Sequence, residues 1–496
     1  MVQTRYLTLA AIASLASAKL SAQVQRHLDA TNSVQGIVVN FKKEAIERLA
    51  LIESDDYHTA LVGALQAQSD ASKAVVDNVL GPRPESVDGC EQFFYIDNTY
   101  FPCGELTADQ LTKLAQHPSV DTITKAQVME LFPIALPGDV NGTTTAATIQ
   151  WGVSKIAAPT VWAKGNTGKG VVVASIDTGV RYTHDAVKAN WRKDFGWFDP
   201  IGTSTLPKDY QGHGSHTMGS IVGQNGVGVA PDAQWIACVG CNLSNCPQAA
   251  LTACAQWLLC PTDAQGNKNC KKAPHVINNS WGSTDGTATW FEPAIAAWRA
   301  AGIVPVFSNG NNGANGCGTV GSPGVSSKVI GVGATDSNDA LAYFSSRGPT
   351  FDKRIKPDVS APGYNIMSID WNSDTNLVAM SGTSMAAPHV TGAVALYLSA
   401  NPGATYDQVL AAVTKTADTA GLTVANKNCG GVSDAQYPNN NYGYGRINID
   451  KAIIATRAPT PAPTPAPTPA PTPAPTPAPT PSPTPIRTPA PTPAPT

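Results

Sequence analysis

This sequence predicts an α/β fold of three layers, a mostly parallel sheet covered by helices on both faces, across residues 145–455. Three observations carry the prediction. Apolar, β-branched runs recur there: GVVVASID, HVINNSW, GIVPVFSNG and KVIGVGA. They are continuous rather than alternating, as strands buried on both faces are. Longer stretches of helical patterning separate them, which is the sequence form of parallel strands joined by crossover helices. Finally, Met385 to Ala400 is apolar nearly all round and ends at Asn401-Pro402-Gly403, so it reads as a helix inside a large domain rather than on its surface.

The rest of the chain divides by composition. Residues 1–18 carry Arg5, an apolar run and then Ala16-Ser17-Ala18, the plan of a secretory signal peptide cleaved after Ala18 or Ala22. Residues 23–135 mix helical stretches with strand-like runs such as QGIVVNF and FFYIDN, the pattern of a small α+β domain. Residues 458–496 repeat Thr-Pro-Ala-Pro. A proline every second residue forbids helix and ladder alike, and little is available to bury. This disordered tail is expected to be an extended polyproline II rod, on the order of 120 Å long at about 3.1 Å per residue. Its threonines among prolines suit an O-glycosylated stalk with a cell-wall or glycan contact, the alternative being a plain spacer.

The 496 residues carry a formal net charge of −3, and only 14 % are charged. That leaves no basic stripe for nucleic acid and no polybasic patch for a lipid surface. No run after the signal reaches the roughly 20 apolar residues of a transmembrane segment, so the mature chain is expected to be secreted and extracellular. Ten cysteines in such a chain read as structural disulfides. Cys90 and Cys103 lie together and should pair, while the other eight, from Cys238 to Cys429, form an even set whose pairing the spacing leaves open. Cys238-x-x-Cys241 also fits half a zinc site, but no second pair or histidine follows at finger spacing.

The functional reading begins at SGTSMAAPHVTG, residues 381–392. Pro388 suits the first turn of a helix, where no amide donor is needed, so the helix should start near Ser384. That serine is either an N-cap or a hydroxyl placed among small residues at the positive end of a buried helix, where free amides favour developing negative charge. A nucleophilic serine needs a base, and YQGHGSHTMGSIVG puts His213 between glycines, where an imidazole can be approached closely. Upstream, GVVVASIDTGV delivers Asp177 at the carboxyl end of an apolar strand, the edge at which open α/β sheets handle ligands. Singly these are a turn residue, a buried imidazole and a cap. Together they supply what a weak serine nucleophile requires, in one of the known chain orders for such a triad.

SIDTGV, HGSHTMG and GTSMAAPHVTG resemble the three signature segments of the subtilisin-like serine proteases, the subtilases, and the similarity spans roughly residues 150–455. NNSWGS, where Ser-Leu-Gly is more usual, resembles the bacillopeptidase F-like branch, while the cysteine-rich stretch is unlike the simplest members. The resemblance implies a subtilisin-like fold and a serine endopeptidase that cleaves proteins or peptides through an acyl-enzyme. It implies Ser384 as nucleophile, His213 as general base and then acid, and Asp177 as the group that fixes the imidazole tautomer. Gly310-Asn311 matches the family's Gly-Asn pair, which makes Asn311 an oxyanion donor beside the Ser384 amide, one such donor being worth about 3–4 kcal/mol. Without the other three residues Asn311 would read as a turn residue. Ser280-Trp281-Gly282 matches the segment that pairs with extended substrate, with Trp281 either walling a specificity pocket or belonging to the core. His184, His216 and His389 receive no chemical role. No cofactor is required for the chemistry. Structural calcium is common in the family, but no metal ligands can be mapped onto this sequence, and the altered loop after Asp177 puts one familiar position in doubt. The optimum is expected at neutral to alkaline pH, because a protonated His213 is no base.

Residues 34–135 resemble the family's propeptide, an intramolecular chaperone and inhibitor, so the enzyme is expected as a self-processed zymogen. VQGIVVNFK and HPSVDTITKAQVMELF would be its first and last strands, the last leading into the active-site cleft, with self-cleavage between about residues 130 and 145. A parallel sheet rich in non-local contacts folds slowly, which gives such help a physical reason. Asn141-Gly-Thr143 and Asn242-Leu-Ser244 are sequons that fit a secreted glycoprotein; Asn278-Asn-Ser280 also matches but borders the substrate segment and is expected to stay unmodified. Two other readings compete. An α/β-hydrolase esterase needs Gly-x-Ser-x-Gly with acid and histidine following the serine, and here Ala386 stands at the second glycine. An inactive, stalk-borne adhesin with a protease fold has no need for Asp177, His213, Ser384 and Asn311 together.

Overall fold

Near the N-terminus four short strands, β1 (Ile37–Phe41), β2 (Gln92–Phe94), β3 (Thr99–Phe101) and β4 (Val120–Lys125), form an antiparallel sheet in the order β2-β3-β1-β4. Helices α1 (Tyr57–Leu80) and α2 (Ala108–Gln116) accompany it, with a further helix at Ala22–Thr31. α2 opens with a reciprocal capping box between Thr107 and Gln110, and its Leu111, Leu114 and Ala115 bury against Val39, Phe41, Val120 and Ile123 of the sheet. The run FFYIDN is not one strand: Tyr95–Asn98 turns, with Asn98 at φ +51°, and makes β2 and β3 a hairpin. A further strand, β5 (Val128–Leu131), leaves this layer and joins the larger part of the molecule.

The structure is a computed structural model in which residues 18–44, 46–49, 56–81, 90–131, 148–202, 204–424 and 426–457 are described. The expected signal peptide up to residue 17, the expected self-cleavage stretch of about 130–145 from residue 132 onward, the Asn141 sequon and the repeat tail lie outside the described residues. The described residues belong to one compact unit ending at Arg457.

The main sheet has seven strands: β6 (Val172–Asp177), β7 (Trp197–Phe198), β8 (Gln234–Val239), β10 (Val276–Asn279), β12 (Val304–Ser308), β13 (Ile330–Thr335) and β14 (Val359–Pro362). All its pairings are parallel, in the order β14-β13-β12-β10-β6-β8-β7. The four runs named in the sequence supply β6, β10, β12 and β13. β7, β8 and β14 are additional: β7 is only two residues long, QWIACV runs straight into the cysteine cluster, and VSAP carries a proline that suits a strand end. Between the strands lie the short edges β9 (Asn245–Pro247) and β11 (Trp281–Gly282), which flank β5 in a three-stranded antiparallel sheet.

Successive side chains of the strands go to opposite faces. Val173, Ala237, Val306 and Val332 pack with α3 (His213–Val222) and α6 (Thr383–Ala400). Ala174, Ile236, Ile277 and Phe307 pack with α4 (Gln248–Leu259) and α5 (Glu292–Ala300). Both faces are thus covered, as continuous apolar strands require. Five disulfides join Cys90–Cys103, Cys238–Cys254, Cys241–Cys246, Cys260–Cys270 and Cys317–Cys429, so Cys238 and Cys241 are bridged to other cysteines rather than available to zinc.

Candidate active site

Chain order reverses beside β6: from it the chain moves to β8 on one side, then to β10, β12, β13 and β14 on the other. The carboxyl ends at such a switch point are where an α/β sheet leaves a crevice. Asp177 closes β6 there. α3 begins at His213 immediately after Gly212, which has φ +108° and lies so close to Trp371 that a Cβ would stand 2.3 Å from the indole Cδ1. Gly214 lets the first turn touch the loop after β6, since a Cβ there would meet the Gly179 carbonyl oxygen at 2.2 Å. These approaches seat the imidazole on the carboxylate: His213 Nδ1 lies 2.8 Å from Asp177 Oδ1, both side chains fully buried. A carboxylate only accepts, so Nδ1 is the protonated nitrogen. Asp177 also accepts from Thr178 N at 2.8 Å and from Thr217 Oγ1 at 3.3 Å.

Burial works against the imidazolium of His213, but the charge and hydrogen bond of Asp177, with a further contribution from Asp209, outweigh it and hold the pKa above the ordinary histidine value. Asp209 is a residue the sequence reading passes over. Its buried carboxylate accepts from Thr178 Oγ1, Gln211 N and Gly212 N at one oxygen and from Ser215 N and Ser215 Oγ at the other, at 2.5–2.9 Å. It therefore caps the helix that carries His213. An aspartate four residues before the helix start was the available signal. Burial raises its own pKa in spite of these bonds.

Ser384 is the second residue of α6. The N-cap is Gly382, with no side-chain cap, so the hydroxyl of Ser384 is not used for capping. It donates instead to the Ser280 carbonyl at 3.2 Å, and the Ser280 hydroxyl donates back to the Ser384 carbonyl at 3.0 Å. Pro388 corrects a sequence expectation: it is the sixth residue of the helix, beyond the first turn. Its missing N–H would have bonded the Ser384 carbonyl four residues back, and Ser280 supplies the donor in its place. His213 Nε2 is buried and makes no hydrogen bond among the described residues, so the structure closes the Asp177–His213 contact and leaves the Ser384 hydroxyl on Ser280. Helices α3 and α6, which carry the two residues, pack against each other.

Asn311 follows β12 by three residues. Its Oδ1 accepts from Thr383 N at 2.9 Å and Thr383 Oγ1 at 2.8 Å, which fixes the amide and turns its Nδ2 donor the opposite way. Thr383, unnamed by the sequence reading, is thus the residue that orients Asn311. Ser280, Trp281 and Gly282 continue from β10. Their backbone pairs with β5, Trp281 opposite Leu131 and Gly282 opposite Glu130. The Trp281 ring is fully buried and packs edge-on against Phe291 and Phe307, so the side chain is core and only the backbone borders the groove. His184, His216 and His389 are buried and bonded to the carbonyls of Asn376, of Ile366 and Val378, and of Met385. Asn278 is buried, its side chain bonded to Ser280 and Thr391. Among the described residues no group of three or more His, Cys, Asp or Glu is placed to hold a metal ion.

An α/β sheet of parallel strands with an acid–imidazole pair and a helix-borne serine at its carboxyl edge has the build of an α/β serine hydrolase. Residues 168–445 match the model of the subtilase family. The chain belongs to that family. It is 32 % identical over 456 residues to bacillopeptidase F of Bacillus subtilis (strain 168), covering 86 % of this chain and 31 % of that relative, so it spans about a third of that protein. It is 33 % identical over 311 residues to subtilisin Savinase of Lederbergia lenta, covering 62 % of this chain and 99 % of the relative. With the extracellular serine proteinase of Thermus sp. (strain Rt41A) the identity is 32 % over 315 residues, 62 % of this chain and 68 % of the relative.

Proposed function

We propose that the chain is a secreted serine endopeptidase made as a self-processed zymogen, with Asp177, His213 and Ser384 as its triad. The observation that carries this reading is the buried 2.8 Å contact between His213 and Asp177 on the helix that packs against the helix of Ser384. Rotation about the Ser384 Cα–Cβ bond moves its hydroxyl from the Ser280 carbonyl to His213 Nε2, which takes the proton as Oγ attacks the peptide carbonyl. The same imidazolium returns the proton to the leaving amine, while Asp177 keeps the ring in one tautomer. Charge on the former carbonyl oxygen meets Asn311 Nδ2 and the Ser384 amide at the head of α6.

Substrates are extended polypeptides lying along Ser280-Trp281-Gly282, where β5 now lies. Residues 23–135 act as the inhibitor, residues 145–455 as the enzyme, and the tail as a stalk or wall contact. Secretion is supported by the signal-like residues 1–18 and the bridged cysteines, and Asn242, exposed on a turn, is the sequon open to a glycan. The test is a matched pair of proteins expressed through the secretory pathway. Wild type should react with a fluorophosphonate and hydrolyse casein, and Ser384→Ala should do neither and accumulate uncut. Casein hydrolysis by the variant would overturn the reading, and labelling of wild type without casein hydrolysis would favour an esterase.

A further inference from the structure

The wall of the groove opposite Trp281-Gly282 is β9 with the turn that leads into it, and that turn has almost no packing of its own. Asn242, Leu243, Ser244 and Asn245 are exposed, Leu243 at 68 %. Leu243 also has φ +47°, a region unfavourable to a branched side chain. Two reciprocal backbone bonds close the turn, Asn242 N to Asn245 O at 2.8 Å and Asn245 N to Asn242 O at 2.9 Å. A three-residue edge strand held in this way does not fix a register by itself.

What fixes it is covalent. Cys241 and Cys246, both wholly buried, are bridged across a sequence separation of 5. At the foot of the ring Gly240 N and Cys241 N both donate to the Asp177 carbonyl, at 2.9 and 3.2 Å, so the ring stands directly on the strand end that presents the acid. On its far side β9 runs into α4, and α4 is tied back to β8 by Cys238–Cys254. The exposed edge meets an extended chain: Asn245, Cys246 and Pro247 pair with Glu130, Met129 and Val128, and the Ser244 carbonyl accepts from Leu131 N at 3.0 Å.

We infer that the ring closed by Cys241–Cys246 is a specificity element, which presets the cleft edge that grips the acyl-side residues of a long peptide and takes no part in bond cleavage. The inference rests on Ser384 being the nucleophile. An edge already ordered loses little entropy when a peptide pairs with it, whereas a loose one must be ordered at the expense of affinity. A substrate too short to reach Ser244 and Asn245 gains nothing from the ring.

The experiment compares two substrates on mature wild type and on the double variant Cys241→Ser/Cys246→Ser: a tetrapeptide anilide, and the ester of a single N-acetylated amino acid. The expected result is a roughly tenfold fall in kcat/KM for the tetrapeptide, carried by KM, with the ester within twofold. Asn245→Gly, which keeps the bridge and weakens the β9 strand, should raise KM for the tetrapeptide alone by two- to threefold, and it decides the matter if the double variant does not accumulate. Equal losses on both substrates, or no loss on either, overturn the inference. Fluorophosphonate labelling separates the two failures: wild type that labels but shows equal losses defeats the ring alone, whereas wild type that does not label defeats the assignment of Ser384 and the inference with it.

Discussion

Ser280 and Ser384 hold each other through a reciprocal pair of hydrogen bonds, hydroxyl to carbonyl in both directions, at 3.2 and 3.0 Å. The pair exists because Pro388 removes the amide that would otherwise bond the Ser384 carbonyl, leaving an acceptor in a fully buried place. One half of the pair satisfies the backbone of the helix head, and the other holds the Ser384 hydroxyl, the proposed nucleophile, on a backbone carbonyl. On the proposed function, the residue whose backbone faces substrate also positions the nucleophile.

Ser280→Ala should expose that dependence. The Ser384 carbonyl loses its donor and Asn278 Nδ2 loses an acceptor, and a buried unsatisfied group costs about 1–3 kcal/mol. We expect the unfolding temperature to fall by several degrees, and kcat to fall about tenfold with KM changed less, since a misaligned nucleophile is penalised in the chemical step. Thermal melts and steady-state kinetics check both. An unchanged melt would mean that another donor reaches the carbonyl.

Acid should act on activity and stability through different histidines. The pKa of His213 lies above the ordinary value of about 6.5, so its pairing with Asp177 contributes stability that is fully present below 6.5 and lost only as pH rises through the raised value. Activity runs the other way and fails as pH drops through that value. His216 and His389 have pKa values pulled down to about 3 and about 4, chiefly by burial. Their neutral burial is fully stabilising above about 6.5, and that stability drains away as pH falls toward 4 and 3. The kcat/KM profile should therefore lose its acid side reversibly, at a pH where the urea midpoint has barely moved. Asp177→Asn should shift the limb downward. A limb that coincides with the fall in urea midpoint would contradict this division.

Oxyanion stabilisation should be separable into a donor and its holder. Asn311→Leu removes the donor and should cost about 10²–10³ in kcat with KM nearly unchanged. Thr383→Val keeps the Thr383 N–H but deletes the hydroxyl that bonds Asn311 Oδ1 at 2.8 Å. It should cost less, about tenfold, and be almost silent in the Asn311→Leu background. Additive losses in the double variant would show that Thr383 acts by some other route.

The buried sheet and the acid–imidazole pair were legible because each rests on local rules: continuous apolar runs for β6, β10, β12 and β13, and glycines beside His213 where the backbone crowds. What escaped depends on contacts between distant segments. Nothing near Pro388 says that Ser280, 104 residues before Ser384, will supply the donor its carbonyl lacks, so the helix start was placed by the proline and the hydroxyl was left between capping and chemistry. Trp281 is equally silent from sequence, since an aromatic after an apolar strand suits either wall or core until Phe291 and Phe307 enclose it. Cys90–Cys103 was legible from proximity in the chain, whereas the pairing of the other eight cysteines required coordinates.

Two bridges of very different span should fail in different ways when removed. Cys317–Cys429 closes a separation of 112 residues and Cys241–Cys246 one of 5. In the chain-entropy account the stabilisation grows with the logarithm of the closed loop, so the long bridge should be worth about 2–3 kcal/mol more than the short one. Cys317 lies six residues beyond Asn311, and the bridge ties that segment to Cys429 near the end of the chain. We therefore expect Cys317→Ser/Cys429→Ser, studied in a Ser384→Ala background to prevent self-digestion, to lower the unfolding temperature clearly, whereas Cys241→Ser/Cys246→Ser leaves it close to the parent. In active enzyme the order should reverse for the KM of a long peptide, which the short ring governs and the long bridge does not. Calorimetry of the two inactive variants, set beside tetrapeptide kinetics of the two active ones, provides the comparison. A short-ring variant that melts as early as the long-bridge variant would mean that Cys241–Cys246 supports the fold and not the cleft edge alone.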